Sequence, residues 1–286
     1  MRVGTVIEIW RYPVKSMGGE QLDRCVVGER GLPGDRGWAL RDEVAGEIRG
    51  AKKFPQLLRC AARYLEEPAG GRIPAAEITL PDEARVRSDA PEAAARLSEL
   101  VGKPVTLWPL RPAGDLAHYR RGRPDHPDMM DELRSIFGRL EDEPLPDLSV
   151  FPQALFEFTS LPGTYFDALP LHLLTTATLS DLHDLNPSAH FDRRRFRPNV
   201  LIETQGTTSG QPELDWCGRP LRVGDATVSV EMPVVRCSMT TQPQGDLPKD
   251  PSVLRTIVRH SNQNVGVYAN VLSPGRVKIG DAVELD

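Results

Sequence analysis

The sequence is poor in cysteine, and its four cysteines, Cys25, Cys60, Cys217 and Cys237, never fall into a C-x-x-C spacing. That excludes a zinc ribbon or a sequence-local iron–sulfur cluster. The six histidines also lack ligand spacing. Basic charge is not in excess, with 35 Lys and Arg against 40 Asp and Glu and a formal net charge of -5. A general nucleic-acid partner is therefore not expected. No apolar run approaches the roughly 20 residues of a membrane-spanning helix, so no membrane partner is expected either. The opening stretch, Met1 to Trp10, carries Arg2 and Glu8 among its apolar residues and reads as a strand rather than a secretion signal. With no such signal, reduced thiols and a cytoplasmic location are expected.

What is present is ordinary for a soluble globular protein: 40% hydrophobic and 26% charged residues over 286 positions. That length suits one large or two medium domains. Twenty-six prolines and 24 glycines cut the chain into short segments, which favours a mostly β fold with some α. Residues 1–110 read as a small β-rich unit. Its strands are expected at Val3–Trp10, Leu22–Val27, Trp38–Arg41, Leu57–Leu65, Glu77–Leu80 and Pro104–Leu107, with a helix at Pro91–Val101. Residues 111–170 read as an insertion or linker, a possible lid, with a helix at Met130–Phe137 and clustered aromatics that argue against disorder. Residues 171–286 are compact again. Strands are expected at His172–Thr175, Asn199–Glu203, Val265–Val271 and Arg276–Ile279, and a hairpin joins Leu221–Val223 to Ala226–Met232. Helices are expected at Thr178–Leu185 and, capped by Asp250, at Pro251–His260.

The stretch with most chemistry is Pro233-Val-Val-Arg-Cys-Ser-Met-Thr-Thr241. A thiolate is a good nucleophile and a good ligand for a soft metal, and a converging guanidinium favours it. Read alone, Cys237 is open between that role and a small core hydrophobe.

Six stretches in order resemble the MOSC superfamily in its two-part form, a β-barrel MOSC domain preceded by a smaller β-barrel-like domain. They are Tyr12-Pro-Val-Lys-Ser-Met17, Gly34-Asp-Arg-Gly-Trp38, Leu171-His-Leu-Leu-Thr-Thr-Ala-Thr178, Phe196-Arg-Pro-Asn-Val200, Arg236-Cys237 with Thr240-Thr241, and Gly275-Arg-Val-Lys-Ile-Gly-Asp281. This form includes the mitochondrial amidoxime-reducing components and bacterial relatives. The resemblance implies the molybdenum cofactor, a molybdopterin whose dithiolene binds the metal. It implies Cys237 as catalytic residue and metal ligand. It implies Lys15, Ser16, Arg36, Thr175, Thr176, Arg197, Asn199 and Arg236 as cofactor-binding residues. Arginine offers bidentate geometry to phosphate or pterin edges, and a strand-to-helix junction favours anions.

Each of these residues also has a plainer reading. Lys15 is an exposed lysine, Arg36 braces a turn, and Thr175 and Thr176 cap a helix. Arg193, Arg194 and Arg195 read as a solvated face or partner patch, and His172 as a strand residue with a satisfied ring. Cys25, Cys60 and Cys217 read as core or surface thiols. Tyr165 and Asp167 are candidates for the substrate side. The function implied is a molybdenum-dependent oxidoreductase that reduces N-hydroxylated small molecules, or related N-oxides or S-oxides. The alternatives are a sulfur or molybdenum-cofactor carrier using Cys237 as persulfide or ligand, and a metal-free binding module. Thr240-Thr-Gln-Pro-Gln244 lacks the aspartate of the family's Thr-Thr-x-Asp-Pro. With the last expected strand so near Asp286, no ferredoxin-like domain is expected to follow. Electrons would then come from a separate protein of the ferredoxin, flavoprotein or cytochrome type.

Overall fold

A computed structural model describes residues 1–206 and 209–286 of the chain. Seven strands close into a barrel. Arg2–Arg11 pairs antiparallel with Val200–Thr204 on one side and Ala282–Leu285 on the other. The ring continues from Val200–Thr204 through a parallel ladder to Leu171–Thr175, then antiparallel to Asn264–Ser273, Ala226–Val235, Pro220–Val223 and back to Ala282–Leu285. The first strand of the chain is thus a stave of the barrel built mainly from the C-terminal third. The sequence groups Arg2–Arg11 with residues 1–110, and it does pair with Glu20–Leu22, but its longest ladder runs to the C-terminal strand Val200–Thr204.

Alternation sorts the faces. Leu171 and Leu173 point into the barrel with Val200, Ile202, Val267 and Ala269. Leu174 and Leu201 point out, against the helices Thr176–Leu185 and Pro251–His260. Val6 and Ile9 both face inward although they are three apart, because the ladder to Val200–Thr204 shifts between Val6 and Glu8.

The N-terminal unit is two three-stranded sheets. One sets Trp38–Asp42 between Glu47–Ile48 and Val105–Pro109; the other is the meander Ala61–Tyr64, Ala76–Thr79, Arg85–Arg87. The helix Pro91–Val101 buries Ala93, Leu97 and Val101 against this core. Two expected elements differ. Leu57–Leu65 opens as a 3-10 turn, Pro55–Arg59, before the strand Ala61–Tyr64. Adjacent Leu57 and Leu58 are both buried, which a turn allows and an alternating strand facing water does not. Leu22–Val27 divides at Asp23, because Glu20–Leu22 joins the first strand while Arg24–Val27 pairs with Gly275–Lys278 in another sheet.

Within residues 111–170 the helix Met129–Phe137 starts on Asp128, whose carboxylate accepts from the N–H groups of Met130 and Asp131. Tyr119, Phe158 and Tyr165 pack with Ala39 and Ile48 in a small core of their own. Those aromatics are packing, and Tyr165 is 1% exposed.

Candidate functional site

The site forms on the outer wall of the barrel, where the N-terminal unit meets it. Val14 and Met17 are fully buried in the N-terminal core. They fix the loop between them, so Lys15 and Ser16 are placed by their neighbours' burial. A parallel bridge between Val14 and Trp38 brings the Asp35–Arg36 turn alongside, and the Arg36 N–H donates to the Tyr12 carbonyl at 2.7 Å.

Three expected residues share a rare backbone state. Ser16 (φ 69), Arg36 (φ 49) and Arg197 (φ 58) are left-handed. Such positions cost free energy for a residue with a Cβ and concentrate at functional sites. The guanidinium carbons of Arg36 and Arg197 lie 4.5 and 4.2 Å from the centroid of the buried Tyr12 ring. Arg36 is paired with Asp35, and Arg197 donates to the Met17 carbonyl. Burial first, then Arg36, lowers the Arg197 pKa to about 10. Burial pushes the Tyr12 phenol up to about 12, so it stays a neutral hydroxyl that donates to the Pro198 carbonyl at 3.0 Å.

Lys15 is buried and donates to the Tyr165 carbonyl and to Asp167 Oδ1, each at 2.8 Å. The Asp167 side chain is 48% exposed. Burial opposes its charge, but Lys15, Lys52 and Arg36 outweigh burial and hold its carboxyl well below the usual range. The sequence reading named Asp167 but missed Lys52. Ser16 is committed within the protein, its Oγ accepting from the Ala51 N–H at 2.8 Å.

Asn199 is a clasp. Its Nδ2 donates to Asp35 Oδ2 at 3.0 Å and the Trp10 carbonyl at 3.2 Å, and its Oδ1 accepts from the His172 N–H at 3.1 Å. It joins two barrel strands to the carboxylate that holds Arg36.

Arg236 is buried beside His172. It donates to the Phe196 carbonyl at 3.1 Å, to the Val265 carbonyl and to His172 Nε2 at 2.7 Å. His172 therefore carries no proton on Nε2. Burial first, then Arg236, holds its imidazole well below the usual value. Burial lowers Arg236 to about 10, while Tyr268 and Cys237 act in the opposite direction. Cys237 is half-buried, stands before the 3-10 turn Ser238–Thr241 and does not cap it. It lies within electrostatic reach of Arg236, Tyr268 and Arg139.

Thr175 and Thr176 join the barrel strand Leu171–Thr175 to the helix Thr176–Leu185. Thr175 is fully buried, caps the helix Thr176–Leu185 and donates its hydroxyl to Glu213 at 2.6 Å. The capping reading is the one the structure displays. Arg195, expected on a solvated face, is 2% exposed and donates to the carbonyls of His190, Thr240, Gln242 and Pro248. Arg193 and Arg194 remain partly exposed but are ion-paired, to Glu8 and to Asp192 and Asp246. A separate recess of about 360 Å³ opens at the start of the first strand, between Met1, Thr204, Trp216 and Leu285, and none of the expected residues lines it.

Residues 162–284 match the MOSC domain family, and residues 3–103 match the MOSC N-terminal beta barrel domain family. The chain belongs to the MOSC superfamily. The bovine mitochondrial amidoxime reducing component 2 is 24% identical over 303 residues, which covers 99% of this chain and 83% of that protein. Among solved structures, the YuaD protein of Bacillus subtilis aligns over 99% of this chain and 95% of its own, at 13% identity and a TM-score of 0.43. YiiM of Geobacillus stearothermophilus aligns over 41% of this chain and 54% of its own, at 21% identity and a TM-score of 0.32.

The cluster of cations on this MOSC barrel has the chemistry of an anion receptor. Among the described residues, the carboxylates that act on Lys15, Arg36, Arg197 and Arg236 are Asp35, Asp167 and, at Arg236, Glu213. Among the described residues, Arg197, Arg236 and Arg139 have no carboxylate partner, although each is buried. Buried guanidinium without a counter-charge is expensive and favours an anion. The donor set of several cations and the half-buried Cys237 fits a phosphate-bearing pterin whose metal takes a thiolate.

Proposed function

We propose that this chain is a molybdenum-cofactor-dependent oxidoreductase that reduces N-hydroxylated small molecules with electrons from a separate donor protein. One observation carries the reading: in a MOSC barrel, the buried Arg236 and Arg139, neither ion-paired to a carboxylate, lie within electrostatic reach of the half-buried Cys237. The bovine relative's name points to the same substrate class.

Lys15, Arg36 and Arg197 would neutralise the cofactor's phosphate and pterin end, and Cys237 would supply the thiolate ligand. The chemistry the cofactor supplies is two-electron transfer with uptake of an oxygen atom. The net reaction is R–NH–OH plus two electrons and two protons, giving R–NH2 and water. Tyr12 holds both guanidiniums against one ring and stays neutral. Neutral His172 accepts from Arg236, and with the Val265 and Phe196 carbonyls it fixes that guanidinium one residue before Cys237. Arg236 and Arg139 favour the charged form of a group bound at Cys237.

The test is molybdenum per chain by elemental mass spectrometry, on protein made in a cofactor-competent host, with turnover of an amidoxime by a chemical electron donor. Wild type is expected to carry near-stoichiometric metal and to turn over, and Cys237→Ala to lose both. A Cys237→Ala chain that loads and reduces amidoxime rules out the ligand role. A metal-free wild type with cyanide-labile sulfur on Cys237 and no turnover would identify a sulfur carrier instead.

A further inference from the structure

Two buried arginines grip the main chain on either side of Cys237, and one of them comes from the segment between the two family domains. Arg139 follows the helix Met129–Phe137 and is 6% exposed. Its Nη2 donates to the Arg236 carbonyl at 3.0 Å, the peptide immediately before Cys237, and its Nε donates to Gln263 Oε1 at 2.9 Å. Gln263 is itself left-handed (φ 69), and its carbonyl accepts from the Arg236 N–H at 2.8 Å. Arg139 thus spans the strand end that delivers Cys237 and the turn facing it. On the other side, Arg195 Nη1 donates to the carbonyls of Thr240 and Gln242, both at 3.1 Å.

The segment that brings Arg139 is anchored at several points. Ser238 Oγ donates to the Ile136 carbonyl at 3.1 Å. Arg255 bonds to Glu143 and to the Gly138 carbonyl. Lys53 of the N-terminal unit pairs with Glu132 at 2.6 Å and Asp125 at 2.9 Å. Gly138 has φ +64, and a Cβ there would approach Leu254 to 2.9 Å and Ser238 to 3.1 Å. The left-handed φ favours glycine there, and any larger residue would also have to displace the Leu254 side-chain end.

We infer that Arg139 is a positioning residue for Cys237, and that the Met129–Glu143 segment is a fixed wall of the Cys237 site. This deepens the proposed function by assigning its thiol a support outside the barrel strands. Its test works on metal-free protein, so failure of the molybdenum reading leaves it intact.

The experiment compares backbone hydrogen exchange in metal-free wild type, Arg139→Ala, Arg139→Lys and Arg255→Met, and molybdenum content in the loaded chains. The Thr240 N–H bonds to the Cys237 carbonyl, and the Gln242 N–H to the Met239 carbonyl, so both report on the turn. Loss of one charge-assisted hydrogen bond predicts exchange about tenfold faster at both amides in Arg139→Ala. Barrel-core amides should stay at wild-type rates. Added methylguanidine should restore protection in Arg139→Ala, and Arg139→Lys should fall between the two. Arg255→Met should loosen residues 138–143 while leaving the turn protected. Molybdenum content should follow turn protection across the series. Wild-type exchange at the turn in Arg139→Ala overturns the inference. So does a uniform rise across the barrel without methylguanidine rescue, since that describes general destabilisation. A turn as loose in Arg255→Met as in Arg139→Ala would overturn it too, by assigning the support to the segment and not to Arg139.

Discussion

Acid should unfold this protein through His172 before it reaches the carboxylates, and the size of the effect follows from one hydrogen bond. His172 is 4% exposed, and its Nε2 accepts from Arg236 at 2.7 Å. A proton on Nε2 would set two cations against each other in a buried site. Burial and Arg236 hold the folded pKa well below the usual 6.5. Above pH 6.5 the imidazole is neutral in both states and adds no pH dependence. Below it the unfolded chain takes up a proton that the folded chain refuses. Stability from His172 is therefore complete above the unfolded pKa and is lost as pH falls toward the folded one. The slope is about 1.4 kcal/mol per pH unit, or roughly 2 kcal/mol between pH 6.5 and pH 5. His118 also has its pKa lowered, by burial first, and acts in the same direction. A comparison with His172→Gln removes that background, and the Gln amide oxygen can still accept from Arg236. Urea unfolding followed by tryptophan fluorescence, from about pH 8 to about pH 5, measures both chains. Wild type should lose about 1.4 kcal/mol per unit more than the variant below pH 6. Parallel pH profiles would refute the reasoning, because they require a native His172 that accepts the proton and releases Arg236.

Asn199→Ala should cost about 2 to 4 kcal/mol, since a buried side chain loses three hydrogen bonds and leaves the His172 N–H and Asp35 with fewer partners. Urea denaturation checks it, and a loss below about 1 kcal/mol would mean the clasp is replaced by water. Ser16 offers a finer comparison. Both Ser16→Ala and Ser16→Gly leave the Ala51 N–H without its acceptor, but only glycine relieves the left-handed φ of 69. Ser16→Gly should therefore be more stable than Ser16→Ala by about 0.5 to 1 kcal/mol, and the reverse order would show that the backbone there is unstrained.

The parts of this structure that could be read from the chain are those in which a residue's type and its neighbours decide its place. Leu171 to Thr175 reads as a strand, although Leu173 and Leu174 are both apolar and the sequence does not name which of the two enters the barrel. Asp250 before Pro251 names a helix start. The barrel's closure was not readable in that way, because Arg2–Arg11 meets Val200–Thr204 across nearly two hundred residues and alternation says which face is buried but not which strand lies beside it. The site divides along the same line. Cys237, Lys15, Arg36 and Arg197 sit in short motifs and could be picked out. What their motifs conceal is that Ser16, Arg36 and Arg197 are left-handed, since serine and arginine carry no mark of that conformation as glycine does. Arg139 and Arg195 were hidden for another reason. An arginine after a helix, or in a run of three, looks like a solvated charge, and only tertiary contacts turn it inward. Both spend most of their donors on main-chain carbonyls, which any residue can supply. No side-chain pairing pattern can then appear in the sequence. The consequence is asymmetric: the groups that would touch a ligand are legible here, while the groups that hold Cys237 in place become visible only when the buried arginines are traced to the carbonyls they bind.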